Sequence, residues 1–241
     1  MGVDVWVRRS RAPEPGVAGD EPVPQAQPAV SGALPAAAVP AVTDPATAGG
    51  EVDPAAMDWA ALRAGVRECR RCELRAGCTQ TVFGVGNERA DWMVIGEAPG
   101  ADEDRQGEPF VGRAGQLLNA MLAGIGLARG EVFIANILKC RPPGNRDPRP
   151  QEAAACQPWL KRQIALVRPK IILAVGRIAA QNLLGTDTPI GKMRGRRFSY
   201  GETGIPVVVV YHPAYLLRSP AEKRKAYEDL LAATRVYAEV K

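Results

Sequence analysis

The sequence predicts an α/β fold: a three-layer α/β/α domain built on a four-stranded, mainly parallel sheet. Three observations carry that expectation. Short, almost wholly apolar runs at 92–95, 132–138, 171–175 and 207–211 read as strands buried on both faces. Longer stretches between them space their apolar residues with helical period. Polar segments stiffened by Gly and Pro follow the strands, at the edge where such sheets hold their ligands.

Each element has a local cause. Asp58 is placed to cap a helix with Trp59, Leu62 and Val66 on one face, which delivers Cys69 and Cys72 at its C-terminal end. After the first strand, a helix at 115–125 turns Leu117, Leu118, Met121 and Leu122 inward. After the second, a helix over 151–167 has Pro150 in its first turn, where a missing N–H removes no intrahelical bond. After the third, a short helix at 178–184 is ended by Gly185. A last helix starts near Ser219 and Pro220 and runs towards the C-terminus. Alternating apolar strands and helices give a parallel sheet covered on both faces.

Composition divides the 241 residues in two. Residues 1–55 are rich in Ala, Pro, Val and Gly, hold nine of the 21 prolines and lack periodicity, so they are expected to form a disordered tail. Residues 56–241 form the expected domain. The tail carries three basic and seven acidic side chains, a net of −4, leaving 28 basic and 19 acidic on the remainder, a net of +9. Such an excess suits a protein that neutralises a phosphate backbone, although many basic proteins bind no nucleic acid. Five cysteines, an odd number, argue against a secreted disulfide framework. No apolar run reaches membrane-spanning length. A cytoplasmic monomer without a membrane partner is the expectation.

The cysteines are sparse but ordered. Cys69 and Cys72 form a C-x2-C pair, and Cys140 and Cys156 a C-x15-C pair flanking a Pro-rich loop. Together they read as four thiolate ligands of one metal centre assembled from distant pieces of chain. Spacing alone favours zinc, the commonest four-thiolate structural metal, while four cysteines suit a 4Fe-4S cluster equally. Cys78 is left over.

Three loops converge on one sheet edge, carrying GEAPGADED at 96–104 with PFVG at 109–112, NILKCRPPGNRDP at 136–148, and HPAYLLR at 212–218. These segments resemble the motifs of the family-four uracil-DNA glycosylases, the iron–sulfur branch of the uracil-DNA glycosylase superfamily. The likeness spans roughly Cys69 to Leu231, with the motifs in the family's order. It implies a monofunctional glycosylase that hydrolyses the N-glycosidic bond of deoxyuridine in single- or double-stranded DNA, starting base excision repair. It also selects a 4Fe-4S cluster over zinc, with Cys69, Cys72, Cys140 and Cys156 as ligands.

The residue chemistry fits this implication. A base-excising enzyme holds a flipped base by its Watson–Crick edge between aromatic and apolar walls. Asn136 matches the family's uracil-reading Asn, whose amide supplies both a donor and an acceptor. Phe110 falls where the family stacks a ring on the base, a core position being the plain alternative. Gly96 and Ala98 line the same loop. Glu103 matches the position associated with excluding the thymine methyl group, the alternative being a solvated loop carboxylate. His212, the sole histidine, is placed to donate to uracil O2 as the bond breaks. Leu216, Leu217 and Arg218 fall where the superfamily inserts a wedge into the vacated stack. One of the two leucines is expected to pack onto the last helix instead.

Water activation is less clearly written. Better-known relatives carry Asp where this chain has Ala98, so Glu97 is the nearest candidate base and Asn145 a candidate water-positioning group. Arg141, Arg146, Lys192, Arg194 and Arg218 are candidate phosphate contacts. The rival reading is a DNA-binding iron–sulfur protein without glycosylase activity, which needs no base pocket. Within the enzyme class, altered base range or covalent uracil trapping remain open; trapping relatives carry a His-containing insertion near 191–197, where this chain has no His.

Overall fold

The computed structural model describes residues 53–241, so of the tail expected over 1–55 nearly all lies outside the described residues. The described chain opens with helix α1 (Trp59–Arg67) and a single turn, α2 (Leu74–Gly77), then strands β1 (Val85–Gly86) and β2 (Trp92–Gly96). Helices α3 (Ala101–Gln106) and α4 (Arg113–Ala123) lead to strand β3 (Phe133–Asn136), helix α5 (Pro150–Val167) and strand β4 (Ile171–Val175). Then come α6 (Arg177–Leu184), α7 (Ile190–Met193), β5 (Arg197–Tyr200), β6 (Ile205–Val210), α8 (Pro213–Arg218) and α9 (Lys223–Val240).

The sheet order is β1-β3-β2-β4-β6-β5, and the four inner strands run parallel, as the apolar runs predicted. The expected count of four strands is corrected to six, because β1 and β5 add antiparallel edges. Neither had the signal of a doubly buried strand. β1 is two residues long, and β5 alternates exposed Arg197 and Ser199 with half-buried Phe198 and Tyr200, as a one-sided edge does. Three short helices, α3, α7 and α8, occupy segments whose polar residues read as loop.

Strand periodicity splits the core into two layers. Met93, Ile95, Phe133, Ile172 and Val209 face a cluster with Leu62, Val66, Trp159 and Leu160 of α1 and α5. Val94, Ile134, Leu173 and Val208 face the other side, against Leu118 and Leu122 of α4 and Leu230 and Ala233 of α9. Leu117 and Met121, expected inward on α4, are half-buried. Asp58 caps α1 as expected, accepting the N–H of Ala61 at 2.8 Å. None of the described helices is long and apolar enough to cross a membrane.

From β2 the chain steps to β3 on one side and later to β4 on the other. This reversal of direction opens a crevice at the C-terminal ends of β2 and β4, the switch point where open α/β sheets bind ligands.

Candidate active site

The loops after all four parallel strands close round one cavity of about 710 Å³ at that switch point. Glu97 to Gly100 follow β2, Asn136 ends β3, Gly176 to Ile178 follow β4, and Tyr211 to Tyr215 follow β6. The cavity gathers most of the residues nominated for catalysis and base binding: Glu97, Ala98, Glu103, Phe110, Asn136, Asn145 and His212 line it, as do Arg146 and Arg218.

Asn136 forms the buried floor, and its Oδ1 has no hydrogen-bond partner among the described residues. A buried acceptor left unmet costs free energy, so in a native site it points to a ligand donor. Gly96 makes room for it. A Cβ at position 96 would stand 2.5 Å from Asn136 Oδ1 and 2.6 Å from the Phe110 ring, so any larger residue fills the subsite.

Phe110 forms one wall. Its ring lies 5.7 Å from that of His212 at an interplanar angle of 30°, and its φ of 55° is left-handed, uncommon for an aromatic residue. The loop is held there by Glu103. One carboxylate oxygen accepts the N–H groups of Val111 at 3.0 Å and Gly112 at 3.2 Å, and the other that of Gly100 at 3.1 Å. Glu103, expected as a space-filling group, is thus the acceptor for three backbone amides around Phe110.

His212 caps α8, its Nδ1 accepting the Ala214 N–H at 3.1 Å. Burial, reinforced by the Arg218 charge and opposed by Glu103, lowers its pKa to about 4. The ring is therefore neutral near pH 7 and donates through Nε2. Gly176, at φ 92°, sits against it, where a Cβ would be 3.0 Å from the His212 Cβ. Glu97 moves the other way. Burial, with help from the Asp147 charge and against Arg177, raises its pKa to about 7. Asn145 has its Oδ1 engaged by Arg141 Nε at 2.7 Å.

The basic residues separate by partner. Arg146 is bound to Glu152, with N–O distances of 2.5 and 2.9 Å, and Arg194 to buried Asp229 at 2.9 Å. Lys192 and Arg218 are exposed. Leu216 is buried, whereas Leu217 is half-exposed. Sequence reasoning missed Arg177, which meets Asp147 at 2.6 Å, and also Tyr211 and Tyr215. Gly176, directly after an apolar strand, was the available signal for the Arg177 loop.

Cys69, Cys72, Cys140 and Cys156 line a second, small cavity with Leu138 and Lys139. Among the described residues no three ligand-type side chains are gathered as for a single ion. One tetrahedral zinc with Zn–S bonds of about 2.3 Å needs its sulfurs within about 3.8 Å of each other. Four thiols round one cavity suit a thiolate-bound metal centre. Burial pushes the Cys156 thiol up to about 11 and Cys140 higher still, so a metal there must displace protons. One chain segment joins the two cavities: Asn136 lines the first, and Leu138 to Cys140 line the second. The Lys139 N–H donates to Cys156 Sγ at 3.2 Å, while buried Lys139 Nζ donates to the Asn136 carbonyl at 2.9 Å and to Gln163 at 2.7 Å.

With this geometry in place, the family model described as the uracil DNA glycosylase superfamily matches residues 83–232. A Type-4 uracil-DNA glycosylase of Archaeoglobus fulgidus is 47% identical over 170 residues, covering 68% of this chain and 85% of that protein. Similar proteins of the same printed name from Saccharolobus solfataricus and Pyrobaculum aerophilum are 44% and 41% identical, covering 68% and 72% of this chain and 79% and 92% of theirs.

Proposed function

The chain belongs to the uracil DNA glycosylase superfamily and excises uracil in DNA repair, and from that premise we propose how its residues divide the work. The carrying observation is the unmet Asn136 Oδ1 on the cavity floor. It suits the N3–H of uracil, while the same amide's N–H donates to O4; cytosine presents the reverse pair, an acceptor at N3 and a donor at N4, and does not fit. Phe110 stacks on the flipped base. Ala98 and Gly96 keep the pocket open enough for the ring to reach Asn136.

As the N-glycosidic bond breaks, negative charge collects on the leaving uracil. Neutral His212 donates from Nε2 to O2 and stabilises that charge without having to become an acid. Glu97, in its charged form, takes the proton of the attacking water, with Asn145 orienting it. Leu217 and Arg218 fill the space the base leaves, and Leu216, being buried, anchors α8 instead. Lys192 and Arg141 contact phosphates of single- or double-stranded uracil DNA.

The four cysteines hold a 4Fe-4S cluster, for which the shared thiol-lined cavity is the support. That cluster braces the chain round the pocket. Lys139 links it to Asn136, so the metal centre stiffens the uracil-reading loop and takes no part in bond cleavage. The domain that does this is 56–241, acting as a cytoplasmic monomer.

Incubation with single- and double-stranded uracil DNA, followed by alkaline cleavage at abasic sites, tests the reading. Uracil substrates are cut, hypoxanthine and thymine mismatches are not. Absence of cleavage on every uracil substrate by metal-replete protein overturns it.

A further inference from the structure

The cavity of about 710 Å³ lies well inside the 300–1,000 Å³ range of sites for drug-sized ligands and is far larger than one pyrimidine needs. Part of its lining comes from the end of β6 and from α8. There it is lined by two tyrosines that the uracil chemistry does not use: Tyr211, which follows β6, and Tyr215, in the first turns of α8. Their ring centroids are 5.1 Å apart, with planes at 49°.

The pair is backed from the core. The Arg194 guanidinium lies 5.4 Å from the Tyr211 ring centroid. Arg194 is itself held by Asp229 at 2.9 Å and by the Lys225 carbonyl at 2.7 Å, and Asp229 is only 2% exposed. Tyr211 therefore has two partners for its ring, Arg194 and Tyr215. Among the described residues no other ring or cation stacks on half-buried Tyr215, and neither phenol hydroxyl makes a hydrogen bond. Arg218, one turn on, lines the same cavity.

We propose that Tyr215, braced by Tyr211 and Arg194, is a stacking subsite for the unpaired nucleobase next to the flipped uracil nucleotide. An aromatic face beside a cation is the standard means of holding single-stranded DNA, and it tolerates any base because every base has a π-face. Arg194 then acts through the tyrosines instead of gripping a phosphate. The inference rests on the uracil-excision reading and adds a second base site to it.

The test is a cycle between enzyme and substrate. Single-stranded oligonucleotides carry one uracil, with the neighbouring base on the 5′ side, the 3′ side or neither replaced by a base-less tetrahydrofuran residue. Half-saturating concentration and maximal single-turnover rate are measured for the wild type, Tyr215→Ala and Tyr215→Phe. Deleting the base on one side should weaken wild-type half-saturation by about tenfold, in the range of base–aromatic stacking, with little change in maximal rate. Tyr215→Ala should show the same weakening on the intact substrate and no further response to base deletion, while Tyr215→Phe follows the wild type. If Tyr215→Ala responds to base deletion on either side as strongly as the wild type does, the subsite is wrong. Should Tyr215→Ala lose its cooperative melting transition, Arg194→Lys, which keeps a cation for buried Asp229 but takes the guanidinium plane from Tyr211, must show a reduced response; an unreduced one overturns the proposal. Fluorescence anisotropy runs the same cycle on binding alone, so a chain that removed no uracil would sink the excision reading while the cycle still decided the subsite.

Discussion

The Nδ1 of His212 accepts the backbone N–H of Ala214 at 3.1 Å, so a cap on α8 decides which face of the imidazole carries the proton. Burial lowers the His212 pKa from 6.5 to about 4, and burial raises that of Glu97 from 4.5 to about 7. Between about 4 and 6.5 the unfolded chain binds the His212 proton and the folded chain does not, so His212 takes stability away as pH falls through that window. For Glu97 the sign reverses: its burial costs stability as pH rises from 4.5 through 7 and the carboxylate charges. Excision should accordingly rise with pH to a plateau above about 7, following Glu97, with no inflection at an ordinary histidine value. Glu97→Gln should flatten that profile, slow excision by about a hundredfold and leave DNA binding nearly intact. Unchanged single-turnover rates in that variant would remove Glu97 from the mechanism.

Asn136 separates stability from activity. Its unmet Oδ1 is a cost to the empty fold. Asn136→Leu removes that cost and keeps a side chain of similar volume, so the melting temperature should hold or rise. Excision should fall by at least about a hundredfold, because the donor–acceptor pair for uracil is gone. A melting temperature that fell together with activity would make Asn136 a structural residue.

Glu103 distinguishes two ways of shaping a pocket. If its carboxylate only fills the space of a methyl group, Glu103→Ala keeps uracil excision and gains thymine excision. Its three backbone acceptances around Phe110 argue for a different result. Without them the left-handed Phe110 loses its restraint, and uracil excision should drop by about tenfold or more. Glu103→Gln, which retains one acceptor oxygen, should recover part of the loss. Assays on uracil and thymine substrates side by side decide between the two.

The parallel core was legible because each strand is buried on both faces and therefore written as an unbroken apolar run. The edges were not, since β1 is two residues long and β5 is apolar on one side only. Loop motifs announced Asn136 and His212 at strand ends and Phe110 in the loop before α4. They could not announce burial or pairing. Arg194 and Arg146 look like free cations in sequence, yet Asp229, distant in the chain, and Glu152, in the first turn of α5, already hold them. Leu216 and Leu217 are adjacent and chemically alike, and only helix phase tells which one is buried. Tyr215 lay inside a motif that had been read, but its use depends on Tyr211 and Arg194 meeting it in space.

Cys78 offers the sharpest test of the metal centre. It is buried beside Cys140, close enough for the two thiols to influence one another, yet it does not line the cavity that the other four share. Its Sγ instead lies 3.7 Å from the Arg75 carbonyl. Cys78→Ala should therefore retain iron and a visible band at roughly 400 nm, the signature of thiolate-bound clusters. Cys156→Ala should lose both, and with them thermal stability, because Cys156 also receives the Lys139 N–H that steadies the Asn136 loop. Iron loss in Cys78→Ala would place the fifth thiol among the ligands. Stoichiometric zinc in anaerobically purified wild-type protein would overturn the cluster and leave a four-thiolate zinc site in its place.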